Sequence, residues 1–93
     1  MNISTALQQD RIFWVSNSSR YNDGEYKLLL LNGKIVGVGD IVLVKFNNGN
    51  FRGTVKQTAG FGSNEDRAVI SIIFSGRSNG KKVHIDKVID KIL

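Results

Sequence analysis

Gly39-Asp40-Ile41-Val42-Leu43-Val44-Lys45-Phe46, then Asn47-Asn48-Gly49-Asn50, then Phe51-Arg52-Gly53-Thr54-Val55-Lys56: this run decides the fold. It reads as an apolar strand opened by a Gly-Asp turn, a tight polar turn, and a second strand of strict alternation. Successive side chains of a strand point to opposite sides, so Phe51, Gly53 and Val55 share one face and Arg52, Thr54 and Lys56 the other. One face is dry and the other wet, as in an antiparallel sheet with a single covered side.

Working downstream, Thr58 to Asp66 reads as a loop. Arg67 to Phe74 is the most apolar strand. Ala68, Ile70, Ile72 and Phe74 share one face, and Val69 and Ile73 stand on the other, so cover is expected on both sides. Ser78-Asn79-Gly80 makes the next turn. Lys81 to Ile85 alternates again, with Val83 and Ile85 inward and Lys82 and His84 outward. Asp86 is expected to cap a short helical turn, with Val88, Ile89 and Ile92 returning to the core.

Working upstream, Ser4 or Thr5 can cap a helical turn through Gln9. Arg11 to Ser16 is rich in β-formers. Asn17 to Gly24 is polar and closes on Asp23-Gly24, a turn signal. Glu25 to Leu31 follows. Its leucines are good helix formers, but seven residues ending in Asn32-Gly33 favour a strand. Asn-Gly between apolar runs predicts a two-residue hairpin loop with both central residues at positive φ. Lys34 to Gly39 is the expected return strand, bent at Gly37 and Gly39 so that the sheet turns a corner.

Six strands with short turns predict an all-β antiparallel meander that curls into a small, partly open barrel. Val42, Val44, Val55, Ile70, Ile72 and Val83 are its expected interior. A chain of 93 residues fits one domain, 1–93, in which 1–37 adds a strand and hairpin to a barrel over 38–93. Hydrophobic content of 41% with 23% charged residues argues against disorder.

The absence of cysteine excludes disulfides, thiolate zinc and thiol catalysis, and it fits a reducing compartment. No stretch approaches the roughly eighteen apolar residues of a membrane span. The N-terminus lacks the basic start and apolar run of a secretory signal. A cytoplasmic location and no membrane partner are therefore expected. Many Asn, Ile and Lys residues suit an AT-rich coding sequence, as in a bacteriophage product.

Catalytic chemistry has little to work with. His84 is the only histidine. Asp86 shares its strand face, but a general base also needs a nucleophile or substrate in reach. One histidine without cysteine makes a transition-metal site poor, and Glu65, Asp66, Asp86 and Asp90 are too scattered for a calcium loop. Gly60-Phe61-Gly62 could offer backbone N–H groups to a phosphate but lacks the Lys-Ser/Thr ending of a phosphate loop. No enzyme and no cofactor are expected.

Charge is more informative. Thirteen Lys and Arg against eight Asp and Glu give +5, which attracts polyanions. The candidate nucleic-acid contacts are Lys45, Arg52, Lys56, Arg67, Arg77, Lys81 and Lys82, with Lys87 and Lys91 nearby. Cations on turns suit phosphate contacts, which hold a polymer without reading its sequence. Phe61, between two glycines, could stack on a base, as could Trp14. The competing expectation is protein interaction: an adaptor or inhibitor docking on a larger host or phage complex through an acidic partner surface. Phe13, Trp14 and Leu28 to Leu31 add apolar surface that would also suit self-association.

Val38 to Phe46, Gly49 to Val55, Val69 to Phe74 and Lys82 to Ile89 resemble the Tudor-like and KOW-like small barrels of the SH3-like fold. The likeness spans Val38 to Ile92 and rests on a Gly-Asp entry, a strand ending in an aromatic, a β-branched third strand and a closing strand followed by a helical turn. KOW-like barrels imply binding of RNA, DNA or transcription and translation machinery. Tudor barrels imply a cage of aromatics for methylated Lys or Arg, held by cation–π attraction. The resemblance would put that cage at Phe46, Phe51 and Phe74. Ser75-Gly76 stands where a further aromatic usually follows, so packing of these rings inside the barrel is the simpler expectation.

Overall fold

The structure, a computed structural model, describes residues 11–16, 24–62 and 68–92. These residues form two antiparallel sheets. The strands are β1 (Ile12–Ser16), β2 (Gly24–Leu29), β3 (Ile35–Val36), β4 (Ile41–Phe46), β5 (Gly49–Gln57), β6 (Val69–Phe74), β7 (Lys81–His84) and β8 (Val88–Lys91), with a 3-10 turn at Ile85–Lys87. The expected turns over Ser4–Gln9 and Asn17–Asp23 lie outside the described residues.

The fold is all-β, but the strands do not run as one continuous meander. β1-β2-β3 make a small sheet, and the larger sheet has the order β7-β6-β5-β4-β8. The chain changes sheets at Gly37–Asp40, where Gly39, at φ 94°, bends it, as its glycines suggested. There Gly39 N–H donates to the Val55 carbonyl and Val55 N–H to the Asp40 carbonyl, so the corner is fastened to β5. β8 returns to pair with β4, which curls the larger sheet. β7 and β8 stay unpaired with each other, leaving the barrel partly open.

The interior follows the period-2 pattern. Val42, Val44, Val55, Ile70, Ile72 and Val83 are all buried, as expected, and Ile85 and Val88 join them. Ile12, Leu28, Leu30 and Val36 belong to the same buried cluster. Much of the apolar surface that looked surplus upstream of residue 38 is therefore core. Burial of that kind is the main favourable term in folding. Leu31, Trp14 and Tyr26 remain exposed.

Four local expectations are corrected. The Asn32-Gly33 hairpin is a three-residue loop: Gly33 N–H donates to the Leu30 carbonyl and Leu30 N–H to the Lys34 carbonyl. Only Gly33 takes positive φ, at 89°, the left-handed position a glycine fills without a Cβ clash. The return strand expected to Gly39 is only Ile35–Val36. The 3-10 turn is capped by His84, whose Nδ1 accepts the Asp86 N–H, because the Asp86 carboxylate is engaged elsewhere. Val88 to Lys91 form a strand with an irregular register against β4, which skips Ile89 and leaves it exposed.

Two carboxylates near the C-terminus hold the small sheet against the large one. The Arg11 guanidinium is buried. Its Nη1 donates to Asp86 Oδ1 at 2.6 Å, Nε to the Leu29 carbonyl at 2.9 Å, and Nη2 to the Ile85 carbonyl at 3.5 Å. Asp90 Oδ1 accepts from Lys34 Nζ at 2.8 Å, Asn32 Nδ2 at 3.0 Å and its neighbour Lys91 N–H at 2.8 Å. The Lys34 ammonium, with the Lys91 N–H behind it, holds the Asp90 carboxyl below its ordinary value of 3.8. A depressed carboxylate contributes stability that is complete above the unfolded value and is lost as pH falls through the folded one. Asp90→Asn should therefore be less stable than wild type near neutrality, and the gap should narrow as pH falls below 3.8 toward the depressed folded value. Urea midpoints across that range check this.

Candidate nucleic-acid interface

At one open end of the barrel the interior rows finish in aromatics. The inward row of β4 runs Val42, Val44, Phe46; that of β5 runs Val55, Gly53, Phe51; that of β6 runs Ile70, Ile72, Phe74. The register places Val44 opposite Phe51, Phe46 opposite Gly49 and Gly53 opposite Phe74, so the three rings meet. The Phe46 centroid is 5.8 Å from Phe51 and 5.5 Å from Phe74. Phe46 and Phe74 pack on the core, as the simpler expectation had it. Phe51 does not: it is 42% exposed.

These rings floor a groove between the tips of two hairpins. Asn47 and Asn48 come from the β4–β5 turn, Ser75 to Gly80 from the β6–β7 turn, and Arg52, Arg77 and Lys81 supply its cations. Both turns are short and polar, which lets the hairpins end in solvent and stand as walls. Lys81 Nζ lies 5.2 Å and Lys87 Nζ 5.9 Å from the Phe46 centroid, within cation–π range. Among the described residues no carboxylate lines the groove.

The charge distribution explains why. Each of the four carboxylates among the described residues faces a cation elsewhere: Glu25 with Lys27, Asp40 with Lys91, Asp86 with Arg11, and Asp90 with Lys34. Those pairs lie on the small sheet or at its seam with the large one. Lys45, Arg52, Lys56, Arg77, Lys81 and Lys87 have no carboxylate partner among the described residues. Among the described residues the surplus positive charge is therefore carried by the large sheet and its turns.

The structure brings Arg52, Arg77 and Lys81 together in the groove lining, and none of the other expected contacts among the described residues lines it. Lys45 stands exposed on the outer face of β4, paired with Asn50. Lys56 is the extra residue of a bulge between Val55 and Gln57. Phe61 lies half-buried beyond β5, and Lys82 Nζ is 5.9 Å from its ring. Neither Phe61 nor Lys82 lines the groove. Arg67 lies outside the described residues. Trp14 meets Tyr26 edge-on at 5.3 Å on the small sheet, away from the groove. His84 is half exposed, with Nδ1 3.5 Å from Asp86 Oδ2.

Sequence reading missed Asn47, Asn48 and Asn79 as groove walls. Their signal is visible afterwards: each Asn-bearing turn follows a strand that ends in phenylalanine. Among the described residues no group of three His, Cys, Asp or Glu could hold a metal, and no helix is long and apolar enough to cross a membrane. Comparison of the chain with protein-family models, curated proteins and solved structures found no match.

Proposed function

We propose that this chain is a non-catalytic nucleic-acid-binding module that holds its ligand in the groove between the β4–β5 and β6–β7 hairpins. The observation that carries this is charge segregation. Among the described residues Arg52, Arg77 and Lys81 line a groove without a carboxylate, while the acids are paired on the small sheet or at its seam with the large one. Such a site binds phosphates largely without regard to sequence. The meander β4 to β7, the 3-10 turn and the return of β8 to β4 support the likeness to KOW-like and Tudor-like barrels. Of the two, the KOW-like reading is favoured. Lys81 and Lys87 already place ammonium groups over Phe46, so a methylated cation would meet two like charges there.

Titration of a labelled oligonucleotide at increasing salt tests this. Three phosphate contacts predict that log K falls with log salt with a slope of about −2 to −3. No binding at low salt would refute the reading. A second reading, docking on a protein or self-association, is favoured by the exposed Trp14–Tyr26 pair on the small sheet. Concentration-dependent dimerisation by a chain that ignores oligonucleotides would establish it instead.

A further inference from the structure

The exposed ring of Phe51 distinguishes between forms of nucleic acid. Electrostatics alone would be served by Arg52, Arg77 and Lys81, and would accept any phosphate backbone. Phe46 and Phe74 are half-buried against the core, so their rings serve the interior. Phe51 sits beside them at the groove floor with 42% of its surface in water and, among the described residues, one ring neighbour, Phe46, at a tilted 56°. An aromatic face left open between cations is rewarded when a flat apolar group lies on it. A duplex keeps its base faces stacked inside and offers only phosphates and base edges. A single strand offers both phosphates and free base faces.

We infer that the groove is a single-strand site, in which one base stacks on Phe51 while Arg52, Arg77 and Lys81 hold the flanking phosphates. The inference rests on the nucleic-acid reading above and narrows it. Asn47, Asn48 and Asn79 at the rim carry side-chain amides, which donate and accept, so they can meet the edge of any base without selecting one. The stacking term is likewise tolerant, because every base has a π-face. The ligand class is therefore an unpaired polynucleotide of loose sequence, and Phe51 is its positioning platform.

Fluorescence anisotropy with oligo-dT, oligo-rU and a DNA duplex of equal length tests this at one low salt concentration. Wild type should bind the single strands more tightly than the duplex. Phe51→Ala should weaken single-strand binding by about 10- to 100-fold while leaving duplex binding unchanged. Phe51→Leu keeps the apolar volume and removes the aromatic face. It should lose most of the same factor, which separates stacking from loss of fold, with circular dichroism confirming that the strands persist. Similar affinities for oligo-dT and oligo-rU, or a preference for either, support the site and show which sugar it takes. Equal affinity for duplex and single strand, with Phe51→Leu unchanged, would overturn the inference while leaving the nucleic-acid reading standing. Failure of every oligonucleotide to bind would remove both.

Discussion

Arg11→Ala should destabilise the fold by about 3 kcal/mol, more than an ordinary surface substitution by several-fold. In the sequence Arg11 simply opens a β-rich run, yet its side chain is 2% exposed and joins the two sheets. Its removal takes the Nε donor from the Leu29 carbonyl, while the Ile85 carbonyl keeps the Val88 N–H, and it leaves a cavity where the guanidinium lay. An orphaned buried acceptor costs about 1–3 kcal/mol. Breaking the pair from the other side should be milder. The Asp86 side chain is 61% exposed, so water can replace it at Nη1 in Asp86→Ala. A loss of about 1–2 kcal/mol is expected there. Arg11→Met restores volume but not donors and should fall between the two. Urea unfolding of the three variants gives this ranking directly. A loss below about 1 kcal/mol for Arg11→Ala would mean the sheets do not depend on this link.

Gly53→Val should be of comparable size, about 3 kcal/mol, and for the opposite reason: too much volume rather than too little. Gly53 lies mid-strand on the inward face of β5, between Val42 and Phe74. A Cβ built there overlaps Ile72 Cγ2 and comes within 3.2 Å of both the Phe74 ring and the Ile73 carbonyl. The glycine exists so that Phe74 and Ile72 can lie across the strand. Two further methyl groups must push the Phe74 ring outward and disturb the aromatic floor beside Phe46. Stability and oligonucleotide affinity should therefore fall together in Gly53→Val, whereas Arg11→Ala should lose stability and keep its affinity under conditions where it remains folded. Thermal unfolding paired with anisotropy separates the two behaviours.

The larger sheet was legible because its code is local. Alternation from Ile41 to Lys56 and from Val69 to Ile85 states which side chains face inward, and the polar turns between them state where the chain reverses. What depended on pairing at a distance was hidden. Arg11 finds its partners 18 and 75 residues away, and nothing near it distinguishes a buried guanidinium from a solvated one. The glycines after Val36 announce a bend but not that the chain leaves one sheet for another there. Val88 to Lys91 is too short to declare itself, and it becomes a strand because β4 offers an open edge.

The site divides in the same way. Cations on the second half of the chain were evident from composition, but which of them converge was not. Arg52, Arg77 and Lys81 meet because two hairpins end side by side, whereas Lys56 falls at a bulge that has no local signature and is not part of the groove lining. Phe61 drew notice for its flanking glycines. Phe51 looked like core from its alternation, and it occupies the inward row at the point where the row runs out into solvent.

Binding of a single-stranded oligonucleotide by Arg52→Gln/Arg77→Gln/Lys81→Gln, compared with wild type across the same salt series, tests the central claim most directly. If the groove is the site, the triple variant keeps its fold, loses affinity at low salt and flattens the salt slope by about 2–3. An unchanged slope would place the ligand elsewhere and contradict the account.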